Sequence, residues 1–217
     1  MSRDNTGSLL VRIVFAGMLA LPVFAADFQG WHILEGIFRP NDSAEVLLHS
    51  RWQTRDQYGQ LQQVRAGLTF RWTKLRRVIP YGGFYQPVHE SNADRVHAGA
   101  RSFGGVEMPF RLRASMLVTT RVAWERLYTH VRPDFNRYRS FGRIMLDRTV
   151  TPFLQNEVFL VRQGFHSTRT GAGVRWRMTP YSTLDLGYFY DVRSSQWNGS
   201  RSWILTSLRF HPPRHER

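Results

Sequence analysis

Residues 115–146 read SMLVTTRVAWERLYTHVRPDFNRYRSFGRIML, and their period decides the fold class. Met116, Val118, Thr120, Val122, Trp124 and Tyr128 fall on one side of a two-residue alternation, with Thr119, Arg121 and Glu125 on the other. After the polar link 129–135, Tyr138, Ser140, Ile144 and Leu146 share one side, while Arg137, Arg139, Arg143 and Asp147 take the opposite one. A period of two sustained over more than about ten residues belongs to long strands, because a helix returns to the same face only every 3.6 residues. Arginines at alternate positions of such strands must face water or a polar interior, since an unpaired buried charge is costly.

The same rule holds outward from this hairpin in both directions. Upstream, Val64, Ala66, Leu68, Phe70 and Trp72 alternate with Arg65, Gly67, Thr69 and Arg71, and Val46, Leu48 and Trp52 oppose Glu45, His49, Arg51 and Gln53. Ile79, Tyr81 and Tyr85 alternate with small or polar residues, and Arg95, His97 and Arg101 oppose Val96, Ala98 and Ala100. Gly104, Gly105 and Pro109 read as a separator before the central hairpin. Downstream, Leu154, Val158 and Leu160 oppose Gln155 and Glu157. Ala172, Val174, Trp176 and Met178 oppose Arg169, Gly171, Gly173, Arg175 and Arg177, and Leu184, Leu186, Tyr188 and Tyr190 oppose Asp185, Gly187 and Asp191. The segments 29–38, of poor alternation, and 202–210 bring the candidates to eleven, at the spacing of an antiparallel meander.

Residues 1–25 have the layout of a cleaved signal peptide: Arg3 and Arg12, a short apolar run from Ile13 to Leu21, Pro22, then Val23-Phe24-Ala25. The expected layout is therefore a leader over 1–25, one barrel domain over 26–210 and a polar tail over 211–217. No later run has the roughly 20 apolar residues of a spanning helix. The net charge of +14 is nearly all arginine, Lys74 being the only lysine, a bias that a GC-rich genome also produces. Because the arginines are spread over many strands of an exported chain, nucleic acid is excluded as partner and an anionic surface or solute is favoured. The chain has no cysteine, which removes disulfides and thiolate metal sites.

A soluble lipocalin-like barrel would turn the Val/Leu/Trp face inward, and a membrane barrel would turn it into lipid. Three features favour lipid. Aromatics (Trp52, Trp72, Tyr81, Tyr85, Trp124, Tyr128, Trp176, Tyr188, Tyr190, Phe210) gather near strand ends, as interfacial belts require. The opposite face mixes arginine with glycine and acids. Links alternate between short (73–77, 148–152, 179–181) and longer (54–60, 87–94, 129–135, 193–201). The expected fold is an all-β, antiparallel up-and-down transmembrane barrel. Because bacterial single-chain barrels have even strand numbers, ten or twelve strands are expected, with 29–38 either packed separately or joined by an unread strand.

On this assignment the lumen receives Arg65, Arg71, Arg95, Arg101, Arg121, Glu125, Arg137, Arg139, Arg143, Glu157, Arg169, Arg175, Arg177 and Asp185, together with Arg51, Glu45, Asp147 and Asp191. Such a set builds either a structural network that closes a narrow bore or, if the bore is open, an anion-preferring path. Diagnostic catalytic, cofactor and metal motifs are lacking. His89-Glu90 has no second histidine, Gly171-Ala172-Gly173 lies within a strand, and Asn198-Gly199-Ser200 suits an ordinary turn. The rim residues His89, Glu90, His97, His130, Asp134, His166 and Ser167 show no diagnostic spacing.

Several segments carry a family resemblance: Trp31, the 45–72 hairpin, Thr119-Thr120-Arg121-Val122-Ala123-Trp124-Glu125-Arg126, Asp134-Phe135-Asn136-Arg137-Tyr138-Arg139 and Phe153-Leu154-Gln155-Asn156-Glu157-Val158-Phe159. Together they resemble the bacterial domain-of-unknown-function family 2490. The resemblance implies an exported outer-membrane barrel and no particular reaction. The chain departs from the family pattern at Ala123-Trp124 and in its tail after Phe210.

The expectation is a non-enzymatic outer-membrane barrel of a Gram-negative bacterium without cofactors. Its partners are outer-membrane lipid, the barrel-insertion machinery and a small anionic solute. The alternatives are a rim hydrolase acting on lipid or peptide, and a soluble periplasmic carrier.

Overall fold

The structure, a computed structural model, describes residues 28–55, 60–90, 99–113, 115–128, 133–146, 150–194 and 200–212. The leader 1–25, Arg95, His97, His130, Asp147, Asn198 and Gly199 lie outside the described residues. Eleven strands follow one another: β1 (Phe28–Asn41), β2 (Ala44–Arg55), β3 (Gln60–Trp72), β4 (Ile79–Glu90), β5 (Arg101–Arg113), β6 (Met116–Leu127), β7 (Phe135–Leu146), β8 (Val150–Val161), β9 (Gly164–Thr179), β10 (Ser182–Arg193) and β11 (Arg201–Phe210). Each pairs with its sequence neighbours in antiparallel fashion, and β1 closes on β11 to complete a barrel without a free sheet edge.

The strand count corrects the expectation of ten or twelve. Ten of the eleven candidate segments lie in strands, and the segment at 29–38 is a full member of the wall. Of the candidate at 95–103 only Arg101 to Phe103 belong to β5; Gly99 and Ala100 lie outside any strand, and 95–98 outside the described residues. An odd count makes the first and last strands run the same way, and β1 pairs with β11 in parallel from Phe28↔Ser202 to Gly36↔Phe210. The weak alternation of β1 has a local cause. Its inward positions include Trp31 and Ile33, which pack against an apolar cluster of Phe153, Phe189, Trp203 and Leu205 inside the barrel. Its outward positions include Gly30, His32 and Gly36, so the usual polarity of the two faces is blurred there. The glycines of β9 make room for this cluster: a Cβ on Gly173 would stand 2.4 Å from the Phe153 ring.

A second correction concerns β5, which runs straight through Gly104, Gly105 and Pro109 instead of ending before them. The separator residues sit in the ladder with β6, where Gly105 opposes Ala123 and Pro109 opposes Thr119. The links sort by end of the barrel. Those after β1, β3, β5, β7 and β9 share one end, and those after β2, β4, β6, β8 and β10 share the other. The second end carries the three longest links, after β4, β6 and β10. However, β2 and β3 are joined by four residues against six between β3 and β4, and β8 and β9 by a tight turn at Arg162-Gln163, with Gly164 at φ 113°.

Charge separates the two faces. Away from the last two positions of each strand, no outward position among the described side chains carries Arg, Lys, Asp or Glu. Leu48, Phe70, Phe84, Phe110, Val122, Ile144, Leu154 and Leu186 are instead exposed on that side. Outward aromatics gather at two levels: Trp72, Trp176 and Phe210 towards the short-link end, and Trp52, Trp124, Tyr138 and Tyr190 towards the other. Val64, the ladder partner of Trp52, stands eight residues from Trp72, about 26 Å of strand. Two members of the expected belt are misassigned. Tyr81 and Tyr85 point inward, where Tyr85 stacks on His49 at 4.4 Å and both rings meet Phe103.

Candidate functional site: the charged barrel interior

Strand register places the interior charges. The seven buried acids are Glu35, Glu45, Glu107, Glu125, Glu157, Asp185 and Asp191. Each stands directly across a ladder from an arginine: Glu35 from Arg209, Glu45 from Arg71, Glu107 from Arg121, Glu125 from Arg137, Glu157 from Arg169, Asp185 from Arg175, and Asp191 from both Arg169 and Arg201. A one-residue slip of any of these ladders would turn one partner of its pair outward, so the charges fix register as well as filling the bore.

The pairs merge into larger groups. Near the short-link end, Arg39 holds Glu45 at 2.9 Å, Arg71 bridges Glu45 and Glu107, and Arg121 closes on Glu107. Beside them Asp185 accepts from Arg175 at 2.7 Å and from Arg143 at 2.9 Å, and Arg143 also donates to Gln155. Higher up, Arg137 donates to Glu125 at 2.8 Å while Arg101 and Arg139 reach that carboxylate at 3.7 Å. Arg139 continues to Glu157 at 3.1 Å, Arg169 links Glu157 to Asp191 at 3.6 Å on each side, and Arg193 adds a bond to Asp191. Charge-assisted bonds of this kind are the strong ones, and breaking a buried pair leaves an uncompensated charge. Rings hold the guanidinium planes in place: Arg143 lies 4.3 Å from Phe153, and Arg51 and Arg169 lie 4.1 and 4.3 Å from Trp31.

Of the residues singled out from the sequence, Arg65, Arg71, Arg101, Arg121, Glu125, Arg137, Arg139, Arg143, Glu157, Arg169, Arg175 and Asp185 lie on the inward face. Arg177 keeps the inward register of β9 but is exposed at the strand end and makes no ion pair among the described residues. Sequence reading missed Glu35, Glu107 and Arg209. Glu107 shares the two-residue period of Arg101, Phe103 and Gly105, a signal hidden by treating the glycines and proline as a break. Arg209 is in phase with the buried Trp203 and Leu205.

The residual space forms two main chambers. Among the described residues, a cavity of about 160 Å³ near the long-link end is lined by eight arginines and a single acid, Glu157, with Gln53, Gln62, Gln63 and two tryptophans. A larger one of about 380 Å³ is lined by seven arginines and four acids. Trp31, Arg51, Arg139 and Glu157 line both and form the partition between them.

Among the rim residues, His166 Nδ1 and Ser167 Oγ meet at 3.1 Å. His166 is the extra residue of a β-bulge, since Leu160 opposes Phe165 and Phe159 opposes Ser167, and His166 and Ser167 are both buried. Asp134 pairs instead with Arg126 at 3.5 Å. Among the described residues no group of three or more His, Cys, Asp or Glu could hold a metal ion.

The family described as "Protein of unknown function (DUF2490)" matches residues 28–201, from the first strand to the start of the last. The chain belongs to this family. No curated protein and no solved structure is significantly similar to it. The DUF2490 match covers every buried acid among the described residues, Glu35 to Asp191, but ends before Arg209, the partner of Glu35.

Proposed function

We propose that this DUF2490 chain is a non-enzymatic outer-membrane β-barrel of a Gram-negative bacterium. Its lumen is narrowed by an arginine–carboxylate network and, where a path remains, prefers anions. The observation that carries the reading is the reversed polarity of the barrel. Its outward face is apolar, free of charge between the strand ends and bounded by two levels of aromatics, while its inward face holds the ion pairs. Water-exposed barrels place these faces the other way round, and lipid-exposed ones place them this way. The strands, of 10 to 16 residues, meet or exceed the roughly 9–11 needed to cross a bilayer. Sequence features add the export signal, which also implies passage through the barrel-insertion machinery.

The test is membrane fractionation followed by electrophoresis of unboiled and boiled samples. The protein should sediment with outer membranes, resist extraction by urea without detergent, and run faster before boiling than after. Complete release by urea alone would overturn the reading. Recording in a planar bilayer then separates a sealed barrel, with no steps above baseline, from an anion path, with chloride current exceeding potassium current.

A further inference from the structure

The geometry points to a binding site for a phosphate-type oxyanion in the chamber at the long-link end, centred on Arg51. This deepens the reading of the lumen given above. It rests on the ion-pair-lined interior and not on where the barrel sits.

Arg51 differs from Arg101, Arg139, Arg143 and Arg193, which also face no acid across a ladder but still reach a carboxylate. Every buried acid has an arginine opposite it, but Arg51 stands opposite Arg65 on one side and Ile33 on the other. Like charges set directly across a ladder destabilise the pair. Arg51 makes no ion pair among the described residues; it is held over Trp31 at 4.1 Å and near Tyr85 at 5.7 Å, and its Nε is buried without a hydrogen-bond partner. A guanidinium fixed by stacking, with its donors unused, is arranged for an acceptor that arrives from elsewhere.

The surroundings define that acceptor. Among the described residues, eight arginines line the chamber, and Glu125, Glu157 and Asp191 are the carboxylates in ion pairs with Arg101, Arg137, Arg139, Arg169 and Arg193 of that lining. Gln53 and Gln62 add neutral polar groups on the same wall. The volume of about 160 Å³ is roughly ten times what one water needs on the same measure. It therefore admits a small multivalent oxyanion and no polymer. Planar guanidinium forks lining one small chamber suit tetrahedral oxygens, which accept several charge-assisted bonds at once.

The experiment uses the full chain refolded in a maltoside detergent, which carries no phosphate. It is titrated calorimetrically with inorganic phosphate, glycerol 3-phosphate and chloride at matched ionic strength. Phosphate should bind saturably, at least tenfold more weakly to Arg51→Gln, and with unchanged affinity to Arg177→Gln. Glycerol 3-phosphate binding more tightly than phosphate identifies a lipid-headgroup source, and weaker binding identifies the free ion. Without anion, Arg51→Gln should melt no lower than the parent chain, and only the parent should gain stability from phosphate. Chloride acting as strongly as phosphate, or Arg51→Gln binding like the parent, overturns the site. Unboiled electrophoresis of the same samples reports the barrel separately, so a missing ligand and a missing membrane barrel give different results.

Discussion

Glu35 of β1 and Arg209 of β11 stand opposite each other across the parallel seam that closes the barrel, and their side chains form an ion pair there. Parallel ladders are slightly weaker per residue than antiparallel ones, so an inward ion pair at the seam supplies both strength and register. Replacing either partner alone should lower the unfolding free energy by about 3 kcal/mol, the low end for breaking a buried pair because Arg209 is partly exposed. The exchange Glu35→Arg with Arg209→Glu should recover much of that loss. Urea unfolding of the four proteins checks it, and additive losses in the double exchange would argue against pairing across the seam.

Close backbone approach sets a second expectation. A Cβ at Gly105 would lie 2.1 Å from the Val122 carbonyl oxygen, while one at Gly142 would meet nothing within 4 Å. Gly105→Val should therefore reduce the fraction that migrates as a folded barrel before boiling. Gly142→Val, on the outward face, should leave it unchanged. Equal yields for the two variants would contradict the packing between β5 and β6.

How far the sequence shows this architecture depends on which face is apolar. In β3, β6 and β7 the inward side is charged and the outward side, away from the strand ends, is not, so alternation alone places Arg65, Glu125 and Arg137. Where the inward side carries Trp31, Ile33 and Trp203, the contrast vanishes, and β1 reads as an irregular segment. The even-number rule then argued against a strand that the pattern had already located. Tyr81 and Tyr85 were misplaced for a related reason: an aromatic near a strand end fits an outward belt and an inward stack equally well. The fact that decides between them, the His49 ring 4.4 Å away, comes from a strand two places along the wall. Pairing of acid with arginine was legible as composition, but the partner of each acid follows only from register.

The outward face yields a test of its surroundings. Leu154 is 59% exposed on β8, and an arginine on a lipid-facing strand costs about 2–4 kcal/mol near the bilayer midplane. Leu154→Arg should lower the stability of the barrel refolded into vesicles by about 2 kcal/mol. Tyr181→Arg, in an exposed turn, should shift it by less than about 0.5 kcal/mol. Urea titration in vesicles measures both, and a neutral Leu154→Arg would mean that this face meets water.

The partition between the chambers gives the last prediction. Trp31 lies between the guanidinium groups of Arg51 and Arg169 and 5.1 Å from Trp203, so its indole is the largest uncharged part of that layer. Trp31→Ala removes the ring while keeping every arginine and Glu157. The two cavities should then join, and planar-bilayer recordings should show larger steps than the parent, with chloride carrying more of the current than potassium because arginines outnumber acids on both sides. A large-to-small change at a packed aromatic costs about 3–5 kcal/mol, so unboiled electrophoresis must first establish that the variant is folded. A folded variant whose conductance equals the parent's would show that the bore is sealed elsewhere, at the ion pairs of Glu45, Glu107 and Arg121 nearer the short-link end.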